Sequence, residues 1–173
     1  IWHENLAPAM KAPFDSVEEA LNFNYKPIEE TKIGKHVLEM IEYFMDKTKG
    51  KIPISLTDTQ SPLNTASYLI SINNMFMEIY DNPGGFKKLL MLLTDLTVEF
   101  SKKQMELIGD ALANPGHGFP SSRVFKGIGF SADAMTMVSD DIYREFELPC
   151  LEKAGREFGG IPFHSCGNWT RKV

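Results

Sequence analysis

Ile33, Val37, Met40, Ile41, Phe44 and Met45 recur at helical spacing. They predict a helix over roughly Ile28 to Lys47 with one buried stripe, closed by Gly50 as a glycine just past a helix end. Before it, Ser16 is placed to cap a short helix, SVEEALNF, with Glu18 and Glu19 in the favourable first turn. Residues 1 to 14 read as an irregular entry, because Pro8 and Pro13 each remove a backbone donor. Ile52 to Leu56 reads as a short buried strand and TDTQ as the loop that follows. Ser61 is then a good N-cap with Pro62 at the first helical position, opening a helix that runs to about Tyr80 and stops at DNPGG. Leu89, Leu90, Leu93, Leu96, Phe100, Leu107 and Ile108 mark a long amphipathic helix from Phe86 to about Leu112.

The last third of the chain alternates. NPGHGFPSS is a Gly/Pro-rich loop, RVFKGIGFS a second strand, SDDIYREFELPCLEKAGREFGG a helix and IPFHSC a third strand. Ser139 caps that helix, Asp140 and Asp141 complement its positive end, and Pro149 is expected to kink it without ending it. Strands separated by helices imply an α/β fold with a parallel sheet and right-handed crossovers. Chemistry gathers at the carboxyl ends of such strands. The three predicted ends, Asp58-Thr59, Ser131-Ala132-Asp133 and His164-Ser165-Cys166, are all polar.

Composition narrows the function classes. The 173 residues are 43% hydrophobic, enough for one ordinary core, and carry a net charge of −5. The sequence pI is about 5.4. Lys and Arg are scattered, as in Lys87-Lys88 and Arg171-Lys172, with no basic stripe to footprint nucleic acid. The longest apolar run, Leu89 to Leu93, falls far short of the ~20 residues of a membrane span. The opening IWHENLAPAMKAP lacks the charged-then-apolar pattern of a secretory leader. Cys150 and Cys166 make no disulfide framework, so a cytoplasmic location is expected.

The candidate chemistry centres on IPFHSCGNW. Residues i and i+2 of a strand share a face, so His164 and Cys166 would present imidazole and sulfur side by side. Both are competent zinc ligands at about 2.0 to 2.3 Å. From spacing alone a packed strand end is the better account of the pair, since two ligands do not fill a tetrahedron and chance pairs are common. Gly167-Asn168 suits a tight turn with close backbone approach, with or without a ligand. Asp133 reads either as a carboxylate aimed into the mouth, binding substrate or moving a proton, or as a solvated loop residue. Tyr68, on the helix after the first strand, could direct its phenol at substrate or fill the core. His117 sits in the Gly-rich loop, either in a lid or simply exposed. His3 and His36 read as surface, and Cys150 as a small buried hydrophobe.

Taken together, GIGFSADAMTMVSDDIYREFELPCLEKAGREFGGIPFHSCGN resembles the uroporphyrinogen decarboxylase superfamily, in which a Tyr/Phe-Arg-Glu-Phe-x-x-Pro helix precedes a strand ending near the site. SPLNTASYLI is similar to a segment of that superfamily whose tyrosine lies close to substrate, and Tyr68 matches it. The likeness spans roughly residues 50 to 169; SDD stands where the superfamily has Ser-Pro. It implies a (β/α)8 barrel with its site at the C-terminal mouth, of which 1–173 would be a single partial domain, roughly half, since a whole barrel takes ~250 residues. HSCGN resembles the branch of cobalamin-linked methyltransferases, which carry zinc on a His-x-Cys strand end plus a later cysteine. The resemblance therefore implies His164 and Cys166 as metal ligands, a third ligand beyond Val173, and Tyr68 as a catalytic residue, to which the strand-end reading adds Asp133. Asn168, Ser131 and His117 would contact substrate. The implied partners are a small thiol or methylated substrate and a corrinoid protein. Metal-free decarboxylation of a porphyrinogen-like polycarboxylate is the second expectation; so anionic a substrate would favour cations at the mouth, and only Arg123 and Lys126 stand near a strand, which counts against it. The third is an inactive half-barrel that self-associates to cover its open edges.

Overall fold

The computed structural model describes residues 10–113 and 127–172. Helix α1 (Val17–Asn22) starts as expected, with the Ser16 hydroxyl accepting from Glu19 N–H and the Glu19 carboxylate accepting from Asp15 N–H. A 3₁₀ turn, Ile28–Glu30, comes before α2 (Lys32–Thr48), so the expected start at Ile28 is corrected to Lys32, with Thr31 as the cap.

The stripe expected on α2 is also corrected. Gly34, Val37, Leu38, Ile41 and Met45 face inward, whereas Ile33, Met40 and Phe44 are exposed. Gly34 decides the rotation: a β-carbon there would land on the Ile28 carbonyl, so only a glycine lets the helix sit this close to the preceding turn. Counting apolar positions does not register that approach.

After α2 the chain forms β1 (Ile54–Ser55) and β2 (Thr59–Gln60), then α3 (Pro62–Leu69), α4 (Ile72–Asp81) and α5 (Pro83–Ile108). The single helix expected from Ser61 to Tyr80 is two. Ser71 adopts φ +66° and caps α4 by accepting from Asn74 N–H, while Ile70 is fully buried between them. No glycine or proline announces that break. Helix α5, about 39 Å long at 1.5 Å per residue, starts three residues earlier than expected, with Asn82 as cap and Pro83 in its first turn. It packs against α1, α2, α3, α4 and α7 (Leu148–Phe158). Leu89, Leu90, Leu93, Val98 and Ile108 bury its inner face.

The remaining strands are β3 (Leu112–Ala113), β4 (Phe130–Ser131) and β5 (Phe163–His164). Among the described residues all pairings are parallel: β1 with β3, and β2–β4–β5 in order. The architecture is α/β, mostly helical with short parallel strands. Leu112 and Ala113 stand where the long helix was expected to end; the first and third expected strands are shorter than their apolar runs, and the second lies partly outside the described residues. The extended stretch from β1 to β2 changes partner midway, at Leu56–Asp58, where Gln104 of α5 accepts from both Thr57 N–H and its hydroxyl.

A 3₁₀ turn, Asp133–Met137, leads from β4 to α6 (Asp140–Ile142), a π turn at Tyr143–Glu147 and α7 without interruption. Pro149 lacks an N–H and its ring crowds the carbonyl four residues back. The helix answers by widening rather than breaking, and Leu148 N–H reaches Tyr143 O five residues away. Among the described residues no helix is long and apolar enough to cross a membrane.

Candidate functional site

Strand register builds the site. Gln60 pairs with Ser131 and Ser131 with His164, so a polar row crosses β2, β4 and β5 at their carboxyl ends. Ala132 N–H donates to His164 O at 2.8 Å and locks the last rung. Two residues beyond that rung stand Asp133 on one strand and Cys166 on the other. Parallel register carries both to the same rim.

There Cys166 N–H donates to Asp133 Oδ1 at 2.7 Å, and Cys166 Sγ lies 3.6 Å from His164 Nε2. One donor atom each from Asp133, His164 and Cys166 falls within 4.8 Å of the other two. His164 is half-buried; Asp133 and Cys166 are exposed, which leaves the cluster open to solvent on one side. The expectation that His164 and Cys166 converge therefore agrees with the geometry, although β5 ends at His164 and Cys166 is delivered by the bend after it.

Below the cluster is a layer of buried polar groups. Asn64, only 2% exposed, sits in the first turn of α3. Its Nδ2 donates to Ser131 O and Gln60 Oε1, and its Oδ1 accepts from Ala134 N–H at 2.7 Å. Ser61 N–H also donates to Ser131 O. The Ser131 hydroxyl donates to Asp58 Oδ1 at 3.3 Å, and Gln60 Nε2 to Asp58 Oδ2. Two of the three polar strand ends are thus joined through Asp58, and the third joins through Asp133.

Deeper still, the fully buried Glu147 carboxylate accepts from Leu63 N–H at 2.9 Å, while its Oε1 has no hydrogen-bond partner among the described residues. Burial pushes its pKa up to about 7, against the pull of hydrogen bonds from Ser61 and Leu63. Burial likewise pushes the Cys150 thiol up to about 11, so this sulfur is an inert core atom.

The sequence model of the family described as Uroporphyrinogen decarboxylase (URO-D) matches residues 1–173. The chain belongs to the uroporphyrinogen decarboxylase family. No curated protein and no solved structure shows a significant match. Membership points to a decarboxylase-like enzyme or one of its relatives. The YREFELP segment that resembled the family is the π turn and its exit, which bring Tyr143, Phe146 and Glu147 into the core.

The other expected site residues fall in three places. Tyr68 is 47% exposed on α3, one turn beyond Asn64 on the same side, so it does not fill the core. Ser131 is buried, its hydroxyl committed to Asp58. Asn168 turns its Oδ1 back to Thr170 N–H and hydroxyl, and lines an open cleft of about 300 Å³ with Thr136, Val138, Asp140, Arg171 and Lys172. A hydrogen bond from Lys172 holds the Asp140 carboxyl below its usual range. His117, Arg123 and Lys126 lie outside the described residues.

Asn64, Gln104 and Glu147 were not singled out from the sequence. A signal existed for Glu147. It falls on the stripe Tyr143, Phe146, Cys150, Leu151 and Ala154, a charge where the helix is otherwise apolar. Asn64 carries no such mark, because an asparagine in a first helical turn is ordinary.

Proposed function

We propose that this family member binds zinc through His164, Cys166 and Asp133 and uses it for methyl transfer between a corrinoid protein and a small thiol, in the cytoplasm. The Sγ···Nε2 separation of 3.6 Å carries the reading. Two ligands of a tetrahedral zinc, at about 2.3 Å for sulfur and 2.0 Å for nitrogen, stand ~3.5 Å apart. The donor set is also zinc-like in kind: one thiolate, one imidazole and one carboxylate, with room on the exposed side for a fourth ligand. Zinc held there would let a substrate thiol persist as a thiolate at neutral pH, the nucleophile this transfer needs.

The chain's own groups then have distinct tasks. Asp133 orients Cys166 by accepting its N–H, which fixes the turn that presents the sulfur. Tyr68, exposed on α3, and Asn168, which lines the cleft, would contact substrate. The reading includes a half-barrel whose open strand edges pair with further strands or a second copy, since edge strands seek partners.

Cobalt(II) tests the centre. The purified chain is expected to bind one equivalent with an intense sulfur-to-metal charge-transfer band, and Cys166→Ser to abolish the band. A chain without that band is not this kind of enzyme. The family description favours a second reading, metal-free decarboxylation of a polycarboxylate; turnover of such a substrate in metal-free protein, unaffected by Cys166→Ser, would establish it.

Gly167 offers a further check. A β-carbon there would lie 2.8 Å from Thr136 Cγ2 and 3.0 Å from its Oγ1. Gly167→Ala should push the Asp133–Met137 turn away from Cys166 and weaken cobalt binding about 10-fold, the low end for residues that orient a ligand. Thr136→Ser, which removes the closest atom, should recover part of the loss.

A further inference from the structure

The buried amide of Asn64 touches three parts of the rim at once. Nδ2 ties the end of β2, through Gln60 Oε1 at 2.9 Å, to the end of β4, through Ser131 O at 3.0 Å. Oδ1 takes Ala134 N–H at 2.7 Å, the backbone donor next to Asp133. That N–H belongs to the first turn of a 3₁₀ helix, where it has no partner within the helix and must find one elsewhere. Asn64 itself is fixed from behind: Ser61 Oγ accepts its N–H at 3.3 Å, and its carbonyl accepts from the Ser67 hydroxyl at 2.7 Å. Its side chain therefore has little freedom, and neither has the turn it holds.

From these contacts we infer that Asn64 is the positioning residue of the Asp133–His164–Cys166 cluster, setting the height at which the Asp133 carboxylate meets the other two donors. The inference rests on the metal reading above. Asn64 does not reach the cluster; it acts through one backbone hydrogen bond on the turn that begins at Asp133. Outer groups that orient a metal ligand are worth 10- to 100-fold in affinity, and removing Oδ1 also leaves the buried Ala134 N–H unpaired.

A double-mutant cycle with cobalt(II) alone, titrated against a competing chelator, tests this. Asn64→Ala should weaken cobalt binding about 10-fold when Asp133 is present and less than 2-fold in an Asp133→Ala background. Equal factors in both backgrounds, or no effect in either, would overturn the assignment. So would an equal loss in Thr94→Ala, a buried polar truncation on α5 away from the rim, because general loosening would then explain it. If Asn64→Ala does not fold, Asn64→Ser enters the same cycle with the same criteria, its hydroxyl being too short to reach Ala134 N–H. An original chain that binds no cobalt removes the metal reading and this assignment together; cobalt binding that ignores Asn64 removes the assignment alone.

Discussion

At pH 8, Glu147→Gln unfolds at a higher urea concentration than the original chain, a gain of roughly 3 kcal/mol that disappears by about pH 4.5. The cause is the buried carboxyl beneath α3. Its pKa rises from 4.5 in the open chain to about 7 in the fold, and each unit is worth about 1.4 kcal/mol. Because the folded state holds the proton to higher pH than the unfolded one, stability falls as pH rises between about 4.5 and 7. Below that window both states are protonated and the penalty is absent; above it the penalty is complete. Glutamine keeps an acceptor for Leu63 N–H and has no charge to bury, so it adds no pH dependence of its own through the window. Urea midpoints at pH 4.5, 6 and 8 decide it. Parallel profiles for the two proteins would mean that Glu147 ionises in the fold as easily as in water.

Glu147 also shows where sequence reading stops. The burial of Cys150 was legible from its place on its helix, and so were the caps at Ser16, Ser61 and Ser139. These depend on neighbours along the chain, which the sequence states outright. What escaped depends on three-dimensional fit that residue spacing does not state. The face of α2 was set by one glycine against one carbonyl, the α3–α4 break by a serine at positive φ, and the rung at β3 by a register no local pattern encodes. At the rim the balance is the same. His164 and Cys166 lie two residues apart, whereas Asn64, Asp58 and Gln104 found their partners only after segments 47 to 73 residues apart had come together. Asp133 lies between these cases. Its position just after a strand was readable, but its contact with Cys166 N–H was not.

The two cysteines separate cleanly in reactivity, and that gives the second large effect. Cys166 is exposed and Cys150 buried, and neither is in a disulfide. An aromatic disulfide reagent at pH 7.5 should therefore titrate one thiol quickly in the native chain and the second only after denaturation, and Cys166→Ser should remove the fast phase entirely. Under the proposed metal reading, one equivalent of zinc suppresses that phase, and a chelator restores it. Loss of a direct ligand must exceed the 10- to 100-fold cost of disturbing a group behind one, so Cys166→Ser and His164→Ala are each expected to weaken zinc binding more than about 100-fold. Cys166→Ser should change the unfolding free energy by no more than about 0.5 kcal/mol, since that side chain is exposed and outside the core. That contrast is the decisive one: affinity collapses while the fold stands. Zinc that leaves the fast thiol untouched, or binds equally well to both variants, would put the metal somewhere other than this rim.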